Sequence, residues 1–217
     1  MAGCGFPGYC VVIERSRGCG GRCRRTVVTV VLVCVGMLGL VTVAAAQSDT
    51  PLLYGDSFLL SGSVEETGAG EVVIILARPH GRGDYNEVAR VRTTTGGRWR
   101  YNARPAIRTL YRAQVGRLLS TPVAVDVEPR IVLRASRGRF TARVRAGRSL
   151  AGKFVVLQQR TSGGWRDLRR LVLDKAASVR FTFPPPATRT QIRLRMPRSQ
   201  AGPGYVAATG PVFTFIR

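Results

Sequence analysis

From Gln47 onward, apolar and polar residues alternate in short runs. Phe58-Leu60-Gly62-Val64, Val123-Val125-Val127 and Phe140-Ala142-Val144 each place every second side chain on one face, as a half-buried strand requires. No long stretch keeps the apolar period of about 3.6 residues that marks an amphipathic helix. Gly, Pro and Thr interrupt the runs about every 8–12 residues, which predicts antiparallel β-sandwiches and not a βαβ fold. In the C-terminal part, seven strands are predicted at 130–134, 139–145, 153–160, 167–174, 179–183, 190–196 and 212–216.

The pattern is written twice. VVIILAR (Val72 to Arg78) matches FVVLQQR (Phe154 to Arg160), with Val73 and Ile75 answering Val155 and Leu157. Tyr85-x-x-Val88 answers Trp165-x-x-Leu168, and Trp99-x-Tyr101 answers Phe181-x-Phe183. Thr109-x-Tyr111-Arg112 answers Thr190-x-Ile192-Arg193, and Val115 falls with Met196. Pro122-Val123 then answers Pro211-Val212, after eight extra residues in the second copy. This is a tandem duplication. It sets a first domain at 47–129 and a second at 130–217, joined so closely at Glu128-Pro129 that the two are expected to stand end to end with limited bending.

Residues 1–46 read as an address. Thr26 to Ala46 is uncharged and almost wholly apolar, Arg15, Arg17, Arg22, Arg24 and Arg25 precede it, and Ala44-Ala45-Ala46-Gln47 closes it. A basic start, an apolar stretch and an A-x-A site describe a secretory signal peptide, cleaved after Ala46. The same 21 residues would just span a bilayer, so an uncleaved single-pass anchor with its arginines inside is the competing reading. Location is therefore secreted or cell envelope, with the anchor as alternative. Lipid attachment is not expected, since Cys34 follows Val33 and not a small residue. A start codon further downstream would remove Cys4, Cys10, Cys19 and Cys23, and residues 1–46 are set aside from the fold.

Charge separates the copies. Lysine plus arginine number 34 against 12 acids, a formal +22, and Lys153 and Lys175 are the two lysines. Residues 47–129 hold ten arginines against nine acids, net +1; residues 130–217 hold seventeen arginines and two lysines against two acids, net +17. A GC-rich coding sequence favours arginine everywhere, but it does not explain why the acids vanish from one copy. With Phe140, Ala142 and Val144 inward, Arg139, Arg143 and Arg145 face solvent; Phe181 and Phe183 inward put Arg180 outside. Ile192, Leu194 and Met196 inward do the same for Arg193 and Arg195, so the basic surface is expected on both sheets. Such a field attracts an anionic envelope polymer or surface, and nucleic acid only non-specifically. Trp165 is the one aromatic placed for base stacking, and its match to Tyr85 favours hairpin packing instead.

Catalytic chemistry has little to work with. All five cysteines lie at or before Cys34, without a C-x-x-C pair, so the body lacks thiols, disulfides and thiolate zinc sites. His80 is the single imidazole and sits in the turn composition Arg78-Pro79-His80-Gly81. Glu65 and Glu66 are adjacent and would point to opposite faces, and Asp167 and Asp174 lie among arginines. Asp49, Asp56, Glu65, Glu66 and Glu71 lack the D-x-D clustering of a calcium loop, and Gly62 to Gly70 lacks the lysine and helix of a phosphate cradle. No enzyme, metal or cofactor is expected. Gly81-Arg82-Gly83-Asp84 sets an R-G-D tripeptide in a hairpin, where the same residues are also ordinary turn formers.

On Gly70, Val73 to Arg78, Trp99, Thr109-x-Tyr111-Arg112 and Val123 to Val127, the chain resembles the tandem bacterial immunoglobulin-like (Big-type) repeats of exported envelope proteins. The resemblance implies two immunoglobulin-like β-sandwiches used as spacer or binding units, with no catalytic motif. Tyr111 stands where a tyrosine corner would, while Ile192 and Pro184-Pro185-Pro186 depart from the pattern. The expected protein is an exported, non-catalytic module whose second domain contacts anionic polymers. The alternative is a spacer or stalk without a ligand of its own.

Overall fold

The computed structural model describes residues 11–17, 46–47, 50–64, 69–136, 138–184 and 189–215. In chain order its strands begin with β1 (Val11–Arg17), β2 (Ala46–Gln47), β3 (Leu52–Leu53), β4 (Phe58–Val64), β5 (Val72–Pro79) and β6 (Asn86–Arg92). β7 (Arg98–Ala103), β8 (Thr109–Val115), β9 (Leu118–Leu119), β10 (Val123–Val125) and β11 (Val127–Glu128) follow. The rest are β12 (Arg130–Ser136), β13 (Arg139–Arg145), β14 (Phe154–Thr161), β15 (Gly164–Val172), β16 (Ser178–Thr182) and β17 (Thr190–Met196), then the one-turn helix α1 (Arg198–Ala201), β18 (Ala208–Thr209) and β19 (Phe213–Phe215). The protein is essentially all-β, in two similarly organised clusters of sheets.

Two compact units emerge. One comprises 56–105 and 109–125 with the residues before 50; the other comprises 50–55, 106–108 and 126–217. In the first, a three-stranded sheet in the order β1-β4-β7 accompanies a larger sheet ordered β2-β10-β8-β5-β6, with β9 on β8. In the second, β12-β13-β16 accompanies β15-β14-β17-β18, with β19 on β17, and β3 pairs parallel with β11. Alternation drives this arrangement: along β8 and β13 every second residue is buried, so each sheet has one face to hide. In the second unit Phe140, Ala142, Val144 and Phe181 from one sheet share a core with Val155, Leu157, Ile192, Leu194 and Met196 from the other. Phe140 stacks on Phe181 at 5.1 Å and meets Phe213 edge-on at 5.2 Å.

The duplication extends to single hydrogen bonds. Val64 N–H donates to the Gly97 carbonyl at 3.0 Å, and Val144 N–H to the Ala177 carbonyl at 2.9 Å. Thr94 N–H donates to Arg98 and Asp174 N–H to Ser178 across the same turn. Each larger sheet carries a bulge at the matching place, between Ile75 and Leu76 and between Leu157 and Gln158. The shared turn moves one sequence correspondence: Trp99 answers Val179, and Tyr101 answers Phe181, two residues from the aromatic-to-aromatic match. A slip of two on a strand keeps every side chain on its face, so alternation could not detect it. The closing strand moves by one. Val123 pairs with Tyr111 and Phe213 with Ile192, so Phe213 and not the exposed Val212 answers Val123.

Two further departures concern segments that alternation left out. β1 comes from the arginine-rich N-terminal segment and pairs antiparallel with β4, Val11 with Val64 and Ile13 with Gly62. β12 pairs with β13 in the same way, Ile131 with Val144 and Leu133 with Ala142, so β1 occupies the place in its sheet that β12 occupies in the other. This strand falls within residues 1–46, set aside from the fold on sequence, and its apolar residues are the contiguous Val11-Val12-Ile13 and not an alternating set. The apolar run 26–45 lies outside the described residues, as do all five cysteines, Asp49, Glu65, Glu66 and Pro185-Pro186; among the described residues no helix is long and apolar enough to cross a membrane. The second departure is the insertion. β8 turns into β9 through Gly116-Arg117, whereas β17 reaches β18 through 197–207 and α1. Its Tyr205 is buried, accepts from Gly147 N–H at 3.0 Å and donates to the Ala106 carbonyl at 2.7 Å. Gly147 has no room for a side chain there, since a Cβ would lie 2.9 Å from the Ala106 oxygen.

Gly97 and Ala177 hold the same turn position with φ of 67° and 53°. A Cβ in this left-handed region costs about 1–2 kcal/mol. Ala177→Gly is expected to stabilise the protein by about 1 kcal/mol and Gly97→Ala to destabilise it by a similar amount, measured by urea unfolding. A neutral Gly97→Ala would show that the two turns are not alike.

Candidate functional site

The six arginines singled out by alternation do not meet in one place. Arg139, Arg143 and Arg145 on β13 and Arg180 on β16 belong to the three-stranded sheet of the second unit; Arg193 and Arg195 on β17 belong to its larger sheet. All are exposed except Arg193, which is half-buried.

On the three-stranded sheet, register fixes the neighbours. Arg134 and Arg180 flank Thr141, Val132 and Ser178 flank Arg143, and Ser136 and Thr182 flank Arg139. Arg145 stands directly opposite Arg130, a like-charge pair that opposes pairing of the strands. Arg130 donates its Nε–H to the Tyr54 carbonyl at 2.9 Å. Among the described residues, Arg134, Arg139, Arg143, Arg145 and Arg180 have no ion-pair or hydrogen-bond partner. Of the two acids after residue 130, Asp167 is on the larger sheet and Asp174 accepts from the N–H groups of Ala176 and Ser178.

The larger sheets carry a different arrangement, and it occurs in both units. Arg193 lies 4.0 Å and Arg160 5.7 Å from the centre of the Trp165 ring. In the first unit, Arg78 and Arg112 lie 4.9 and 5.0 Å from the centre of the Tyr85 ring. These are the matched residues of the sequence repeat, so a cation–π cluster was duplicated with the fold. Its second copy is the better satisfied. Arg193 Nε–H donates to Gln158 Oε1 at 2.8 Å, and Gln158 Nε2–H donates to Asp167 Oδ1 at 2.6 Å. Leu76 stands where Gln158 stands, and the buried Arg112 Nε has no hydrogen-bond partner. Burial, then the nearby charges of Arg195 and Arg160, hold the Arg193 guanidinium below the usual arginine range. Arg193 is thus engaged with its own sheet, and Trp165 packs on the hairpin.

Other residues with possible chemistry are placed separately. His80 is exposed in the turn after β5, and Arg82, Gly83 and Asp84 are exposed in the same hairpin. Glu87 is held below the ordinary carboxylate value by its hydrogen bonds to Arg90, at 2.7 and 3.0 Å. Arg108 pairs with Asp126 at 3.2 Å. Burial pushes the Tyr111 hydroxyl above its ordinary range; its bond is with Thr109 on the same strand, and its ring lies 5.8 Å from Phe58. Among the described residues, no three of His, Cys, Asp and Glu are grouped to hold a metal ion. Tyr205 and Gln158 were missed in the sequence because polar bonds inside a strand or an insertion leave no periodic signal.

No family model and no curated protein matches the chain. Among solved structures, native alpha-2-macroglobulin from Escherichia coli, spanning domains NIE-MG1, is 10% identical with a TM-score of 0.24, over 69% of this chain and 89% of that one. The chicken CNTN1 FN1-FN3 domains are 12% identical with a TM-score of 0.21, over 78% and 66%. The glycoside hydrolase domain of Endo-D from Streptococcus pneumoniae is 10% identical with a TM-score of 0.25, over 73% and 31%. Superpositions this poor carry no conclusion about fold or function.

The Gln158 bridge can be tested by substitution. Gln158→Leu copies the first unit and leaves Arg193 Nε–H and Asp167 without their partner, so it is expected to destabilise by about 1–3 kcal/mol in urea unfolding. A variant as stable as the parent would show that the bridge is not formed in solution.

Proposed function

We propose that the protein is a non-catalytic structural module, a pair of immunoglobulin-like β-sandwiches serving as the spacer or stalk of an exported, envelope-associated assembly. One observation carries this reading: what the two copies share is structural. They share strand order, a turn hydrogen bond, a bulge and an arginine-clamped ring, all of which shape and stiffen a sheet. A catalytic or ligand pocket duplicated with the fold would leave matched acids, bases or accessible nucleophiles; the matched positions hold arginine, aromatic and aliphatic residues, and the matched hydroxyls of Thr109 and Thr190 are buried. The kinship with bacterial Big-type repeats and delivery by residues 1–46 belong to the same proposal.

Export is checked at the N-terminus. The secreted protein is expected to begin at Gln47, which removes β1 and leaves β4 as an edge strand. N-terminal sequencing that finds Arg25 or an earlier residue still attached would end the cleavage reading, and a start at or before Val11 would mean that β1 is retained. The spacer role is checked by pulling single molecules from both ends. Two unfolding steps are expected, each releasing about eighty residues or roughly 280 Å of chain. A single step, or unfolding without measurable force, would contradict it.

A further inference from the structure

The duplication supplies an internal control for the charge on the second unit. Aligned through the shared turn, Leu59, Ser61 and Ser63 on β4 answer Arg139, Thr141 and Arg143 on β13, and Arg100 answers Arg180. The same sheet therefore forms without the arginines of β13, while the arginine at Arg180 has a counterpart in Arg100. Codon bias acts on both copies alike and leaves this difference unexplained. Structure leaves it unexplained too, because Arg145 opposite Arg130 works against pairing of the strands.

We propose that the outer face of the β12-β13-β16 sheet docks a linear phosphodiester polymer. This goes beyond the spacer reading and does not depend on it. Arg134, Arg139, Arg143, Arg145 and Arg180 form a shallow lattice of guanidinium groups, about 7 Å apart for alternate residues along a strand and about 5 Å between strands. Guanidinium matches phosphate in bidentate fashion, and none of these five is held by a described carboxylate. Between them stand Ser136, Thr141, Ser178 and Thr182, hydroxyls that add hydrogen bonds to phosphate oxygens. Val132 is half-buried, and no aromatic residue belongs to the outward set. The face thus lacks the apolar anchors that lipid insertion needs and the rings that base stacking needs. It reads charge and spacing, not sequence.

The test uses the full chain, with poly(glycerol phosphate), a thirty-residue oligothymidylate and phosphatidylglycerol vesicles as probes. Both polymers are expected to bind at 50 mM salt, and affinity to fall steeply by 200 mM as counterions are released. The triple variant Arg139→Ser, Arg143→Ser, Arg145→Ser is expected to bind both polymers at least about tenfold more weakly, with a salt slope shallower by about two. Arg148→Ser, Arg166→Ser, Arg198→Ser removes the same charge outside this sheet and is expected to stay within about twofold of the parent. Equal losses in the two variants would reduce the effect to bulk charge and overturn the proposal. So would binding to vesicles without binding to polymer, which would assign the face to a lipid surface, or no binding at 50 mM salt. Phenylglyoxal footprinting of the parent protein gives a readout that does not depend on variants folding. Polymer is expected to protect Arg139, Arg143, Arg145 and Arg180 but not Arg166, and uniform protection would also overturn the proposal.

Discussion

A single extra residue in each larger sheet decides what its outer face displays. Leu157 pairs with Arg169 and Gln158 with Asp167, so Leu168 is left over; Ile75 pairs with Ala89 and Leu76 with Glu87, so Val88 is left over. Passing the bulge changes the parity of the strand. Beyond it, the odd-numbered Trp165 and Asp167 share the face of the even-numbered Arg170 and Val172, which without the bulge would lie on the opposite face. That shift brings Trp165 under Arg193 and Arg160 and Asp167 to Gln158. In the first unit it brings Tyr85 to Arg78 and Arg112.

From residue 47 on, the units have their cores and hydrogen bonds to rely on, since that part of the chain contains no cysteine. The second unit compensates for its longer β17–β18 connection by burying it. Ala201, Tyr205 and Ala208 enter the core, and the Tyr205 hydroxyl bridges Gly147 and Ala106. Trp99 is the costlier choice in the first unit, because its ring is 2% exposed while its Nε1–H has no partner. Its large apolar surface outweighs the lost hydrogen bond.

Alternation made most of the fold legible. Strands with strict period two, such as Phe140-Ala142-Val144, lie where the pattern puts them, and their arginines face outward as expected. Alternation also revealed the duplication. It failed where period two is uninformative or broken. The aromatic pair Trp99-x-Tyr101 was matched two residues away from its true counterpart, because such a slip leaves faces unchanged. The bulges invert parity midway through a strand, and the tyrosine of the insertion has no counterpart in the first copy. Of the six arginines named from sequence, four share one face; Arg193 is bound into the ring cluster, because a bond to Gln158 across two strands has no signature in either strand alone.

The same ring cluster is built twice, once in each unit. The most direct measurement is a pair of double-mutant cycles in urea, Trp165→Ala with Arg193→Ala and Tyr85→Ala with Arg112→Ala. Both pairs are expected to couple, at about 0.5–2 kcal/mol each. Coupling in one unit and none in the other, or in neither, would contradict the claim that the two units share one construction.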